Sequence, residues 1–237
     1  MDLKNIEQQI IEIIERNRIS STEVADALNK KGVIHGLQPV NVGKHITGKI
    51  KYVFAFDESN WPLHEQIQDI EEDVVLFVDT FNCNNKAIFG DLVAKYLILY
   101  KRVKAIVVNG LLRDVPNLRK HGYPIWYLGT TPLGCYNIPV ELSKNTEIEM
   151  NTRRMFFESG ILTCDDSGCT LIDKKLITED ILKRLELIEL QEDIWFFCID
   201  TLKWSTYETV CLKNYLNNPD VLPPILKEKV KQIPFIN

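Results

Sequence analysis

The chain has 237 residues, 45% of them hydrophobic, enough to bury a substantial core in one domain with terminal embellishments. Its 28 basic and 33 acidic residues give a net charge of −5, which argues against a broad nucleic-acid footprint, since that needs a basic face. It carries no run of about 18 uncharged apolar residues and no signal-peptide core, so a cytoplasmic protein with no membrane partner is expected.

Leu3, Ile6, Ile10, Ile13 and Ile14 fall on one face at helical spacing and predict an amphipathic helix over 2–17. A second helix is expected over 21–31, opened by a Ser20/Glu23 capping box and stopped by Gly32. Residues 33–45 read as a loop, and Thr47–Phe56 as a strand. Val74–Val78 is a fully apolar run, hence a central strand ending at Asp79, followed by a polar loop over 80–86. Gly90 opens a helix to about Tyr100, with Val93, Leu97 and Tyr100 on one face. Ala105–Val108 is a β-branched strand that should stop at Asn109-Gly110. A short helix over 115–121 ending at Gly122 and a strand over Pro124–Leu128 follow. This alternation means an α/β core with parallel pairing.

After Thr131-Pro132 the pattern reads as short strands: Tyr136–Val140, Glu147–Met150, Arg154–Phe157, Ile161–Cys164 and Thr170–Ile172. Asp165-Asp166-Ser167-Gly168 makes a tight turn between the last two, or else a pair of cation-binding carboxylates. A long helix is expected from about 179 to 201, and Pro219, Pro223 and Pro224 break up the tail. Six cysteines, none in a CxxC pair, are expected as buried reduced thiols, and four scattered histidines make a structural zinc site unexpected.

The chemistry concentrates in Gly90-Asp91-Leu92-Val93 and Asn109-Gly110-Leu111-Leu112-Arg113-Asp114. Free amides at a helix start attract anions, and glycine allows close approach, although an ordinary helix N-terminus looks the same. Arginine past a strand end grips a planar carboxylate through two parallel hydrogen bonds, and aspartate there holds a hard divalent cation. The plainer alternatives are a surface ion pair for Arg113 and a helix cap for Asp114. Together the pair suggests a small keto-acid bound beside a metal.

In order and spacing, these segments resemble the RraA-like family, which includes 4-hydroxy-4-methyl-2-oxoglutarate aldolases. The resemblance runs from Ser21-Thr22-Glu23-Val24-Ala25-Asp26-Ala27-Leu28 through Val78-Asp79, Gly90-Asp91-Leu92, the Arg113-Asp114 loop, Gly122-Tyr123-Pro124-Ile125-Trp126 and Thr131-Pro132 to Cys164-Asp165-Asp166-Ser167-Gly168. It implies an α/β fold of the three-layer swivelling β/β/α kind over 19–201, with an extra N-terminal helix over 1–18 and a C-terminal extension over 202–237.

The resemblance further implies a metal-dependent lyase of the class II pyruvate aldolase type. Such an enzyme cleaves a 4-hydroxy-2-oxo acid to pyruvate and can decarboxylate oxaloacetate. Arg113 and Asp91 would be catalytic, Gly90, Asp91, Leu92, Val93 and Arg113 would bind substrate, and Asp114 would anchor Mg²⁺ or Mn²⁺. A water positioned by Asp91 would take the substrate hydroxyl proton. A homotrimer or hexamer is implied, with sites near subunit boundaries. The alternative within the resemblance is a non-catalytic regulator that binds a protein such as a ribonuclease. Asp91 and Arg113 are separated by 21 residues, one more than the usual spacing, which implies a small insertion near Tyr100–Val103. The family's usual glycine-rich loop and arginines are here Thr80-Phe81-Asn82-Cys83, Asn85, Lys86 and Leu128, so the distal end of the usual substrate is not matched.

Overall fold

The structure, a computed structural model, describes residues 3–230. Helix α1 (Leu3–Asn17) closes its apolar face, including Ile6, Ile10, Ile13 and Ile14, into a core shared with α2 (Ser21–Ala27) and the later Ile161, Ile172, Ile181 and Leu185. That face is therefore covered by the chain itself. The capping box at α2 forms as expected, but the helix ends four residues early, because Asn29 and Lys30 take left-handed φ. Gly32 is not the helix stop. A methyl group there would meet Leu171 O at 2.3 Å, so glycine lets strand β1 (Val33–Ile34) lie close to its neighbour. The expected loop over 33–45 thus contains β1 and a second short strand, β2 (Gln38–Pro39).

Strand β3 (Ile46–Phe56) changes partners midway. Ile46–Lys49 pair antiparallel with a C-terminal hairpin, and Ile50–Phe56 pair parallel with β4 (Val75–Phe81). Helix α3 (Trp61–Gln66) lies between them in sequence. After β4 come β5 (Ala87–Phe89), α4 (Asp91–Lys95), β6 (Ala105–Leu112), α5 (Val115–His121) and β7 (Ile125–Thr130). Strands β4, β6 and β7 pair in parallel, and β5 adds to the far end of β6. Beyond them lie α6 (Lys144–Phe157), the hairpin β8 (Ile161–Asp165) and β9 (Gly168–Ile172), and α7 (Glu179–Asp200). The spatial order is β1-β9-β8-β3-β4-β6-β7-β2. The expected α/β class with parallel pairing is what forms. Past α7, short helical turns pack Tyr215, Leu222 and Val230 against Leu190, Ile194 and Cys198.

Two expectations fail instructively. Glu147–Met150 and Arg154–Phe157 are not strands but parts of α6, and Tyr136–Val140 is irregular apart from a bridge between Ser59 and Tyr136. Ser143 caps α6 by accepting from Thr146 N, and Thr146, Met150, Arg153 and Phe157 share the face turned to the sheet. Their i, i+4, i+7, i+11 spacing is helical. The second failure is β6, which runs through Asn109-Gly110 to Leu112 with an irregularity in its pairing to β7. Gly110 is a close-approach residue, since a methyl group there would meet Thr80 Cγ2 at 2.7 Å. β4 likewise continues past Asp79 to Phe81 and shortens the polar loop.

Among the described residues no helix is long and apolar enough to cross a membrane. Four of the six cysteines are buried as expected, but Cys135 is half-buried and Cys211 exposed, and all are free thiols.

Candidate active site

Strands β5 and β6 end side by side, and the residues at and just beyond their ends meet in a cleft of about 160 Å³. Its walls include Phe89, Gly90, Leu92 and Val93 from the β5–α4 junction, Arg113 and Asp114 from the tip of β6, and Asn60, His64, Gly134, Cys135 and Asn137 opposite. Because β6 runs on to Leu112, Arg113 emerges at the strand tip, fixed by its N–H donating to Phe89 O at 3.1 Å.

The packing around the pair tolerates little. A methyl group on Gly90 would fall 2.0 Å from Asp114 Oδ2, and one on Gly134 would fall 2.5 Å from Arg113 Nη1. Glycine at these two places is what lets backbone lie directly against the carboxylate and the guanidinium.

Asp114 occupies the N-cap position of α5 but makes no capping bond. It sits at φ 57°, a left-handed conformation that costs a non-glycine residue free energy and tends to persist where function requires it. Its carboxylate turns instead toward the α4 start, where Asp91 N–H approaches Oδ2 at 3.4 Å, and toward Arg113, whose Nε lies 3.6 Å away. Both side chains of the pair remain about half exposed, Arg113 at 50% and Asp114 at 46%. The helix-cap alternative for Asp114 is therefore not the arrangement found.

Gly90, Leu92, Val93, Arg113 and Asp114 all converge on the cleft. Asp91 does not line the cleft: its N–H points to Asp114 Oδ2, and its carboxylate faces His121 of α5, with Oδ1 3.6 Å from Nε2. Asp91 Oδ1 is buried without a hydrogen-bond partner. α4 is followed by a wider π-turn over Tyr96–Tyr100, with Lys101 N–H bonding back to Tyr96 O. That turn holds one more residue than a regular helical turn, next to where the spacing of Asp91 and Arg113 implies an insertion.

A cation fits this donor set only in a restricted way. Asp114 offers an uncapped carboxylate. Among the described residues, however, no three His, Cys, Asp or Glu side chains group to hold a metal. A closed protein cage is thus absent there. The arrangement suits a hard cation that keeps several waters and shares oxygens with a bound acid, as Mg²⁺ does.

Sequence reasoning missed Asn60, His64, Cys135 and Asn137. Ser59–Tyr136 bridging and the bond from Asn60 N–H to Tyr136 O carry the 134–137 segment across to the cleft. No spacing rule links residues 60 and 137. It also missed a buried ion pair on the opposite face of the sheet. Arg153 of α6 forks onto Asp79 through Nε to Oδ2 and through Nη2 to Oδ1 at 2.9 Å. Tyr52 donates to Oδ2 at 2.9 Å, and Asn109 Nδ2 donates to Oδ1 at 2.8 Å. Burial first, and then the Asp79 charge, push the Tyr52 hydroxyl well above the usual phenol range. The Asp165 turn is structural too, because its carboxylate accepts from Ser21 N–H and Oγ, and Asp166 accepts from Gly43 N–H.

A profile of the RraA-like family, described as Aldolase/RraA, matches residues 21–171. Protein DlpA of Legionella pneumophila subsp. pneumophila is 23% identical over 201 residues, 81% of this chain, which spans only 31% of that relative's length. An uncharacterised Pseudomonas syringae pv. tomato protein superposes with a TM-score of 0.62 at 17% identity, covering 82% of this chain and 93% of the other. Streptomyces coelicolor RraAS2, described as an unusual member of the RNase ES inhibitor RraA protein family, gives a TM-score of 0.57 at 20% identity, covering 80% of this chain and 94% of the other. With the matched segment holding β3 to β9 and the whole cleft, this chain belongs to the RraA-like family.

Proposed function

We propose that the chain is a divalent-metal-dependent lyase that cleaves a 4-hydroxy-2-oxo acid to pyruvate and also decarboxylates oxaloacetate. The family contains both metal-dependent lyases and members without catalysis, so membership alone does not decide. The observation that carries the reading is convergence. The Gly90 helix start and Arg113-Asp114 are far apart in sequence, yet they meet in one cleft with glycines wherever a methyl group would collide.

The roles follow from the chemistry of each group. The first-turn amides of Leu92 and Val93 have no intrahelical acceptor and offer donors to an anion, while that of Asp91 points to Asp114. Arg113 grips the substrate carboxylate with its planar fork and favours negative charge on the adjacent keto oxygen. Asp114 would hold Mg²⁺ or Mn²⁺, which when bound supplies Lewis-acid polarisation of the keto group. As the C–C bond breaks, its electron pair moves into the pyruvyl fragment as an enolate. Arg113 and the amides stabilise that charge in place, with little reorganisation. Loss of CO₂ from oxaloacetate yields the same enolate, so one site serves both reactions. Asp91 is assigned the positioning of the water that takes the hydroxyl proton, a role that requires its carboxylate to turn away from His121.

The rim of the cleft leaves Leu92 81% exposed, with Leu133, Tyr136 and Ile138 also exposed. Such a rim supports a homotrimer, or a hexamer of two rings, closing over it. The same rim would serve the rival reading, a non-catalytic regulator docking on a partner such as a ribonuclease.

The test is pyruvate release from a panel of 4-hydroxy-2-oxo acids and oxaloacetate. Turnover of at least one substrate should require Mg²⁺ or Mn²⁺ and vanish in EDTA. Turnover that survives exhaustive chelation, or its absence with every substrate and both metals, would overturn the lyase reading.

A further inference from the structure

Two sulfurs that the lyase reading does not use lie near Arg113, one in the cleft wall and one in the core against which that wall packs. Cys83 is buried in the turn after β4, where Lys86 N–H bonds back to Cys83 O at 3.0 Å. Cys135 is half-buried and lines the cleft. The two segments are stitched together through β5, with Ala87 N–H donating to Leu133 O at 2.7 Å and Cys135 N–H to Ala87 O at 2.9 Å. This packs Cys135 against the core cluster that contains Cys83, whose own thiol donates to Phe81 O at 3.5 Å. Among the described residues no third Cys, His, Asp or Glu joins them in a metal-binding group.

We propose that Cys135 in the wall of the cleft and Cys83 in the adjoining core are an oxidisable dithiol, taking a hydroperoxide as substrate and closing to a disulfide that resets Gly134 against Arg113. The two sulfurs are unequal partners. The neighbouring Cys83 thiol holds the Cys135 thiol below the usual range, helped by Lys86 and opposed by burial and by Glu58, with which Lys86 pairs at 3.2 Å. The Cys135 thiol, and then burial, push Cys83 up. Cys135 is thus the more thiolate-like and the more accessible sulfur, which is what makes a thiol react first. Its thiolate attacks a peroxide oxygen, so that an S–O bond forms, the O–O bond breaks and the leaving oxygen departs protonated. Cys83 sulfur then attacks Cys135 sulfur. An S–S bond forms, the S–O bond breaks, and hydroxide leaves with the Cys83 proton as water. For hydrogen peroxide the balance is two thiols and one peroxide giving one disulfide and two waters.

The consequence for the cleft comes from Gly134, the residue before Cys135. It already lies so close to Arg113 that a methyl group would sit 2.5 Å from Nη1. Drawing Cys135 onto Cys83 moves this contact, and with it the guanidinium. A second pair, Cys164 and Cys169, faces across β8 and β9, but both are fully buried and burial pushes Cys164 well up. It serves as an internal control.

The experiment treats the full chain with hydrogen peroxide, blocks free thiols after unfolding, and maps peptides by mass spectrometry. A Cys83–Cys135 cross-link, lighter by two hydrogens and reversed by a thiol reductant, is expected, with Cys164 and Cys169 still alkylated. In parallel, oxalate binding with Mn²⁺ should weaken about five-fold or more on oxidation, the lower end of coupling between sites, and recover on reduction. Both thiols remaining alkylated, or Cys135 passing to sulfinic acid without a cross-link, overturns the dithiol. A cross-link with unchanged oxalate affinity overturns its coupling to the cleft. The coupling rests on the lyase reading and the sulfur chemistry does not. A reduced protein that binds no oxalate but still forms the cross-link would therefore remove the former and support the latter.

Discussion

The sheet carries two arginine–aspartate pairs, one on each face, and they are built in opposite ways. Arg153 and Asp79 meet as a fork, with Asp79 fully buried and its oxygens also taken by Tyr52 and Asn109. Arg113 and Asp114 touch only at 3.6 Å, remain half exposed, and leave Asp114 in a left-handed conformation with no cap to show for it. A buried carboxylate whose oxygens are all taken by Arg153, Tyr52 and Asn109 has no capacity left for a ligand, and its work is to fix structure. An under-satisfied pair beside free helix amides has donors and acceptors still to use. The same two residue types thus serve packing on one face and chemistry on the other, and hydrogen-bond satisfaction tells them apart.

The contrast breaks most visibly at the buried pair. Arg153→Met leaves the Asp79 carboxylate buried without its cation, and urea denaturation should show a loss of about 2 kcal/mol, below the usual range for a buried pair because Arg153 is 35% exposed. A loss within about 0.5 kcal/mol, the ordinary range for a surface change, would show that the network is not structural.

The cleft pair should give the mirror image. Arg113→Lys keeps the charge but loses the fork, and Asp114→Asn keeps the shape but loses the charge. Each should lower kcat for pyruvate release by about a hundred-fold or more, the usual effect of removing one group that stabilises developing charge. Each should leave stability within about 0.5 kcal/mol, since neither side chain is buried and Asp114 caps nothing. Near wild-type turnover in both folded variants would remove the pair from the mechanism.

The difference between the faces also explains what the sequence revealed. Arg113-Asp114 was legible because it is contiguous and follows a β-branched strand, and the capping box and the Val115–His121 helix followed from local rules. Asp79–Arg153 was not, because its partners are 74 residues apart and Arg153 lies in α6, where short alternating runs imitated strands. The helical period through Thr146, Met150, Arg153 and Phe157 includes a threonine and an arginine, so a purely apolar reading misses it. β6 was cut short for a related reason. Asn-Gly is a strong turn signal, but here it meets a close contact with Thr80 within the strand. Asp91 was legible as a helix opener, whereas the direction of its carboxylate toward His121 depends on α5 packing.

The most direct test of the central claim is calorimetric titration of the chain with oxalate, an enolate mimic, with Mg²⁺ and again in EDTA. If the Gly90 amides, Arg113 and Asp114 form a metal-assisted keto-acid site, oxalate binds at one site per chain only when the cation is present, and Asp114→Asn abolishes the heat. Oxalate that binds equally well in EDTA, or not at all with the metal, would contradict the account.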